Sequence, residues 1–357
     1  MHFLVATWDG AGNLQPVLGL VEALKRRGHE VHVLAHDVQR GQIEAVGGTF
    51  LPFQTAPQWD QGMPGYAGDD PMAHFMAFDP KAGDDVLTVA RELDPDALLV
   101  DCMLASALRD ATHKGYKTVA LVHALYSFFA EFAGGVFRAP IDEATLALSF
   151  SYADFDSGVD FPPNLVFVGP TRPDNREGTW ERRCSGKPLI VVSLSTGAQG
   201  PGRSQEQRLQ TVCDALADLD VEALVTTGRG IVPESLRSGA NTTLARRVAH
   251  EAVLGQADLL ITHGGHGTVM AGLTLGAPML CLAPLVDQPV NAAKVVGLGL
   301  GASIDPQSES AEIRQAVQQL LADPSLRQRS RAFAEALTTA PGLEKGVEAI
   351  EALANRP

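Results

Sequence analysis

Cysteine is scarce: four residues in 357, Cys102, Cys184, Cys213 and Cys281, scattered and with no C-x-x-C pair. That spacing supports neither a zinc site nor a redox motif, and three of the four sit in or beside apolar strand or helix patterns, where a small buried thiol is common. Basic residues are also few, 28 Lys and Arg against 42 Asp and Glu, a formal charge of −14. A protein that grips a phosphate backbone needs a basic face, so nucleic acid is excluded as a partner, whereas a local basic site for a diphosphate is not. No apolar run is long enough to span a bilayer, and no basic leader with an apolar core precedes the strand-like run Phe3 to Thr7. Neither a membrane partner nor export is expected, and the implied location is cytoplasmic.

What the chain has is alternation of strand-like and helix-like patterns, over a length that suits two domains with separate cores. Phe3 to Thr7 reads as a buried strand, Trp8 to Asn13 as its loop, Leu14 to Arg27 as a helix capped by Gly28, and Glu30 to Ala35 as the next strand. This βαβ opening implies a parallel, doubly wound sheet. Gly10, Gly12 and Asp37 invite a dinucleotide reading, but Gln15-Pro16 stands where the third glycine belongs. From Leu51 to Lys81 the pattern is irregular, with Trp59, Tyr66, Phe75 and Phe78 interspersed, as in a loop that grips an apolar ligand or a plain surface excursion. A third strand, Asp96 to Val100, ends at Asp101; the helix Leu104 to Lys114 and a fourth strand, Thr118 to Val122, ending at His123, follow. The apolar stretch Leu125 to Phe137, with Phe128 in it, lines an acceptor pocket or is core. Asp69-Asp70 and Asp84-Asp85 read as solvated loops or caps rather than a metal site, because a divalent ion needs oxygens converging from separate segments.

Gly169 to Gly178 interrupts all periodicity, so a first domain over 1–170, a linker over 171–187 and a second domain over 188–342 are expected. The second half repeats the alternation: a strand from Pro188 to Leu194, a helix from Ser204 to Leu219, strands Glu222 to Thr226 and Thr242 to Val248, and a short helix His250 to Gln256. Helices at about Ser310 to Leu321, Leu326 to Thr338 and Leu343 to Ala354 close the chain. The fold class is α/β: two Rossmann-like parallel-sheet domains facing a cleft.

The most informative stretch is Ile261 to Asn291. An apolar strand from Asp258 to Thr262 breaks at His263-Gly264-Gly265-His266-Gly267-Thr268, and a helix-period pattern follows until Gly276. Glycines let the backbone approach a bulky anion, and the first turn of a helix offers N–H groups with partial positive charge, so the turn suits a phosphate. The next strand, Pro278 to Leu282, leads to Asp287-Gln288, a carboxylate and an amide suited to sugar hydroxyls at a neighbouring strand end.

The string HGGHGT…GAP…DQPVN resembles the donor motif of inverting nucleotide-sugar glycosyltransferases of GT-B fold, in particular bacterial enzymes of natural-product and antibiotic biosynthesis, and the likeness runs along nearly the whole chain. The resemblance implies transfer of a sugar from a UDP- or TDP-sugar to a hydroxyl of an apolar small molecule, with inversion, by a monomer or homodimer that needs neither metal nor cofactor. It implies that His263, Gly265, His266, Gly267 and Thr268 hold the diphosphate with Ser195-Thr196, that Thr227, Gly228 and Val248 flank the base, and that Asp287-Gln288 hold the sugar. Ala249 stands where the family usually has proline, so the base contacts depart from the pattern. The last helix, about 343–357, is implied to cross back onto the first domain. Trp8, Asn13, His123 and Phe128 are the acceptor-side candidates.

Related enzymes carry histidine or aspartate as catalytic base at the position of Asn13, and an amide does not take a proton near neutral pH. Three strand-end groups are candidates instead: Asp9 first, in the same loop; Asp101 second, matching the acid that orients the family's histidine; and His123 third, with Asn13 positioning the acceptor. Two rival readings stand beside transfer: a nucleotide-sugar epimerase, which needs no apolar acceptor pocket, and a non-catalytic donor-binding auxiliary protein.

Overall fold

Runs such as Phe3-Leu4-Val5, Leu98-Leu99-Val100 and Val119-Ala120-Leu121 are apolar on both faces, which suits strands covered by helices on both sides of a parallel sheet. The computed structural model forms this arrangement twice and describes residues 1–10, 12–56, 80–171, 180–183, 186–194, 204–228, 231–337 and 342–356. Contacts divide the chain into unit 1, Met1–Asn175 with Ala340–Pro357, and unit 2, Arg176–Thr339.

Unit 1 runs β1 (His2–Ala6), α1 (Leu14–Arg26), β2 (Glu30–Ala35), α2 (Arg40–Ala45), β3 (Thr49–Pro52), α3 (Pro80–Leu93), β4 (Ala97–Asp101), α4 (Ala105–His113), β5 (Thr118–Val122), α5 (Tyr126–Glu131), α6 (Arg138–Glu143), β6 (Leu146–Ser149) and β7 (Leu165–Phe167). Its seven strands lie in the order β3-β2-β1-β4-β5-β6-β7, and every pairing is parallel. The order reverses between β1 and β4, which places the loop after β1 beside the end of β4, where ligands bind in such sheets.

Unit 2 runs β8 (Leu189–Ser193), α7 (Gln205–Leu216), β9 (Glu222–Thr226), β10 (Thr242–Ala245), α8 (His250–Val253), β11 (Leu259–Thr262), α9 (His266–Leu275), β12 (Met279–Cys281), α10 (Gln288–Gly297), β13 (Gly301–Ser303), α11 (Ser310–Leu321) and α12 (Pro324–Leu337). The sheet order is β10-β9-β8-β11-β12-β13, again wholly parallel, and its reversal lies between β8 and β11. The last helix, α13 (Leu343–Ala354), puts Val347, Ile350 and Leu353 into one core with Phe3, Val17, Val21 and Leu24 of unit 1.

Several expectations are corrected. The third strand of the chain is Thr49–Pro52, and the run after Asp96 is the fourth. Asp84-Asp85 lie on a helix rather than in a solvated loop. Asp85 is buried and accepts from the backbone N–H groups of Gln54, Thr55 and Ala56. The strand after Thr242 stops at Ala245. Asp69-Asp70, Trp59, Tyr66, Phe75 and Phe78 fall outside the described residues.

Candidate active site

In unit 2 the glycine turn is built around one imidazole. A Cβ on Gly265 would stand 2.2 Å from His263 Nε2, so the ring lies directly over the residue that caps α9. Gly264 takes φ +81°, and a Cβ there would come within 3.0 Å of the Gln288 carbonyl. Both glycines are therefore required, one by the histidine and one by the close approach of α10. Burial pushes the His263 imidazole down to about 4, opposed by the Ser193 backbone and reinforced by Arg208 and His250. His263 therefore enters the site neutral, offering one N–H rather than a positive charge. His266 is buried in the first turn of α9, with Gly267 exposed and Thr268 half-buried beside it.

Asn291 holds the two halves of this arrangement together. Its Nδ2 donates to the Gly264 carbonyl at 2.9 Å and to Asp287 Oδ2 at 2.9 Å, so the turn after β11 and the first turn of α10 are fixed to each other. Val286, just before Asp287, sits at φ +59° with 53 % of its surface exposed. A β-branched side chain is strained there. Gln288 is buried, and its Oε1 meets no donor among the described residues.

Thr227 is buried and gives its hydroxyl to the Ile231 carbonyl, so its side chain is engaged by its own loop. Gly228 turns with φ +74° and Val248 is half-buried. Ser195 and Thr196 lie outside the described residues. The sequence reading did not single out Arg208, His250 and Asn291: Arg208 and His250 both disfavour a charge on His263, and His250 Nε2 lies 3.2 Å from Ser193 Oγ.

In unit 1, Asn13 is only 1 % exposed. Its Oδ1 accepts from Gly10 N at 3.0 Å, and its Nδ2 donates to the Trp8 carbonyl and to Asp101 Oδ2, both at 2.9 Å. The amide is thus engaged at both ends. Asp101 is 0 % exposed; Oδ1 takes the Met103 N–H at 2.9 Å, and His123 Nδ1 lies 3.2 Å from Oδ2. Both oxygens of this sealed carboxylate are thus met by protein groups. Asp9 is half-buried in the same loop, its N–H donating to His36 Nδ1 at 3.2 Å.

Trp8 packs over Gly10, where a Cβ would meet its ring at 2.9 Å, and it is buried. The stretch after Leu125 is mostly core: Tyr126, Phe129 and Phe137 are buried, and Phe128 stacks on Phe132 at 4.7 Å. Phe132 is half-buried. Asp156 fixes α5 by accepting from the N–H groups of Tyr126 and Ser127 at 2.6 and 3.1 Å. Among the described residues no helix is long and apolar enough to cross a membrane.

Residues 210–353 match the family described as Erythromycin biosynthesis protein CIII-like, C-terminal domain. The NDP-glycosyltransferase YjiC of Bacillus licheniformis is 25 % identical over 394 residues, covering 98 % of this chain and 97 % of the relative. Among solved structures, the glycosyltransferase of kitacinnamycin has a TM-score of 0.79 at 23 % identity, covering 99 % of this chain and 98 % of that one. The glycosyltransferase VinC in complex with dTDP has a TM-score of 0.76 at 18 % identity, covering 100 % of both chains. Two wholly parallel sheets and these likenesses give the chain the GT-B fold and make it similar to glycosyltransferases over nearly its whole length.

Proposed function

We propose that the chain moves a sugar from a UDP- or TDP-sugar to a hydroxyl of an apolar small molecule, with inversion at the anomeric carbon, in the making of a natural product. The observation that carries the donor half is the Asn291 lock, which sets the anion-suited turn and the Asp287-Gln288 pair in one fixed arrangement. The diphosphate meets the first turn of α9 with His263 and Arg208 near it, and Asp287 and Gln288 take sugar hydroxyls; the buried Gln288 Oε1 gains the donor it lacks. Ser195, Thr196, Gly228 and Val248 complete the nucleotide contacts in this reading. Protein donors and the helix dipole then stabilise the leaving diphosphate, and no metal is required. VinC, solved with dTDP, supports the thymidine option.

Acceptor binding belongs to unit 1, through the edge of Trp8, the half-buried Phe132 and the surroundings of His123. The test is calorimetry of UDP, TDP and their glucose conjugates with the intact protein. His263→Ala should weaken each by about 1–3 kcal/mol, and Asp287→Ala should weaken the sugar conjugates more than the free nucleotides. Equal binding of nucleotides by wild type and His263→Ala would remove the phosphate assignment.

A further inference from the structure

We propose that His123, held by Asp101, is the general base that takes the acceptor proton, an inference that rests on the transfer reading above. Asp101 is the anchor of this arrangement. Its carboxylate is sealed from solvent at the end of β4, with Met103 N donating to Oδ1, Asn13 Nδ2 donating to Oδ2, and His123 Nδ1 standing 3.2 Å from Oδ2 in an ion-pair contact. The direction of the Asn13 bond is fixed, because the other end of that amide accepts from Gly10 and its nitrogen also donates to a carbonyl. A carboxylate oxygen 3.2 Å away favours the proton of a neutral His123 on Nδ1 and the lone pair on Nε2, over the arrangement in which Nδ1 takes the Cys102 S–H. This tautomer, favoured by the buried carboxylate, is the one a positioned base requires.

The ring is held from other sides as well. His123 is the first residue after β5, beside β4 in the sheet, and Phe129 of α5 packs edge-on against it at 5.4 Å. Asp156 anchors the start of α5 and thereby Phe129. The His123 side chain keeps 14 % of its surface exposed while its partner keeps none. A residue reaching out, backed by a carboxylate that is closed off, has the geometry of a base and its orienting partner.

Cys102 Sγ lies 3.9 Å from the same Nδ1, and Asp101, Cys102 and His123 are close enough together to be a candidate metal trio. Burial and the Asp101 carboxylate push that thiol well up, so it remains S–H and is a poor metal ligand. Asp9, half-buried in the loop after β1, is the rival base.

In the step proposed, the acceptor oxygen forms its bond to the anomeric carbon as its proton passes to His123 Nε2. The bond from that carbon to the diphosphate oxygen breaks, and its electron pair leaves with the nucleotide. Asp101 stabilises the imidazolium until the proton is released to water. Asp101 and Asn13 act as positioning residues.

The experiment uses the intact protein, UDP-glucose and TDP-glucose as donors, and a series of substituted phenols as acceptors, with donor hydrolysis by water as a second readout. His123→Gln should lower turnover on the order of 10²-fold or more, with nucleotide Kd unchanged, and the loss should shrink as the phenol becomes more acidic. Asp101→Asn should lower kcat and shift the acid limb of the pH profile, and Asp9→Asn should stay within a few-fold of wild type. Independently of any acceptor, ¹⁵N spectra of the imidazoles should show His123 protonated at Nδ1 and bare at Nε2, a preference lost in Asp101→Asn. Near-normal turnover in His123→Gln, a loss independent of phenol acidity, the opposite tautomer, or stoichiometric bound zinc would each overturn the assignment. If neither nucleotide binds, the transfer reading fails, and the imidazole spectrum alone decides the pairing.

Discussion

Asn13 shows how far one side chain's meaning depends on its neighbours. Both ends of its amide are engaged inside the loop, so Asn13→Ala should cost about 1–3 kcal/mol by leaving Gly10 N, the Trp8 carbonyl and Asp101 with fewer partners. Thermal unfolding measures this, and an unchanged acceptor KM in the surviving folded protein distinguishes positioning from contact. His263 carries a second prediction. Its folded value of about 4 lies below its ordinary 6.5, so the unfolded chain binds the extra proton between those values. The contribution is therefore complete above pH 6.5 and is lost as pH falls toward 4, by at most about 3 kcal/mol. Urea unfolding of His263→Gln across that window should show a flatter pH dependence than wild type; parallel curves would disprove the depressed value. Position 263 was legible from the glycines around it. The pairing of Asp101 with His123 was not, because 22 residues separate them and only the adjacency of β4 and β5 brings their ends together.

At the scale of elements, the sequence was readable where apolar residues recur in strength and silent where small residues or pairing decide. α1 and α13 carry broad apolar stripes and match their expected spans closely. α3 was missed because its buried face, Ala82, Gly83, Asp85, Val86, Leu87 and Ala90, carries small residues and a carboxylate beside only two larger apolar side chains. β13 is Gly301-Ala302-Ser303, with no apolar signal, and a Cβ at Gly301 would sit 1.9 Å from the Met279 carbonyl. Its strand character comes from β12. The turn into α10 is the element where strain is concentrated. Val286→Asn, which accepts a left-handed backbone more readily, should raise stability by about 1 kcal/mol. Asn291→Ala should lower it by about 1–3 kcal/mol, with weaker binding of nucleotide sugars, by releasing the Gly264 carbonyl and Asp287 together. Chemical denaturation of the two variants side by side tests both signs.

At the scale of the whole molecule, the chain leaves unit 1 near Asn175 and returns to it near Ala340. That return was implied by the family likeness rather than by residue patterns, since an amphipathic helix does not name the core it will enter. Its anchoring is visible in the packing: Val347 and Ile350 are fully buried in the unit 1 core, and a Cβ on Gly346 would press to 2.7 Å on Val168. Arg27 bridges to Glu344 and Glu351, and His29 Nε2 lies 2.7 Å from Glu351, but these groups are partly exposed and add little beside the apolar contacts. Residues at the end of the chain therefore stabilise the unit at its beginning. Ile350→Ala should destabilise unit 1 by about 2–5 kcal/mol, while Val347→Ala, a smaller deletion, should cost less. Hydrogen exchange resolves where the loss falls. Faster exchange should appear in β1, α1 and β4 and be absent from β8, β11 and α9, and the Kd for UDP or TDP should stay as in wild type. Exchange that rises equally in both units would mean that the two cores do not unfold separately and that the donor site shares its stability with unit 1.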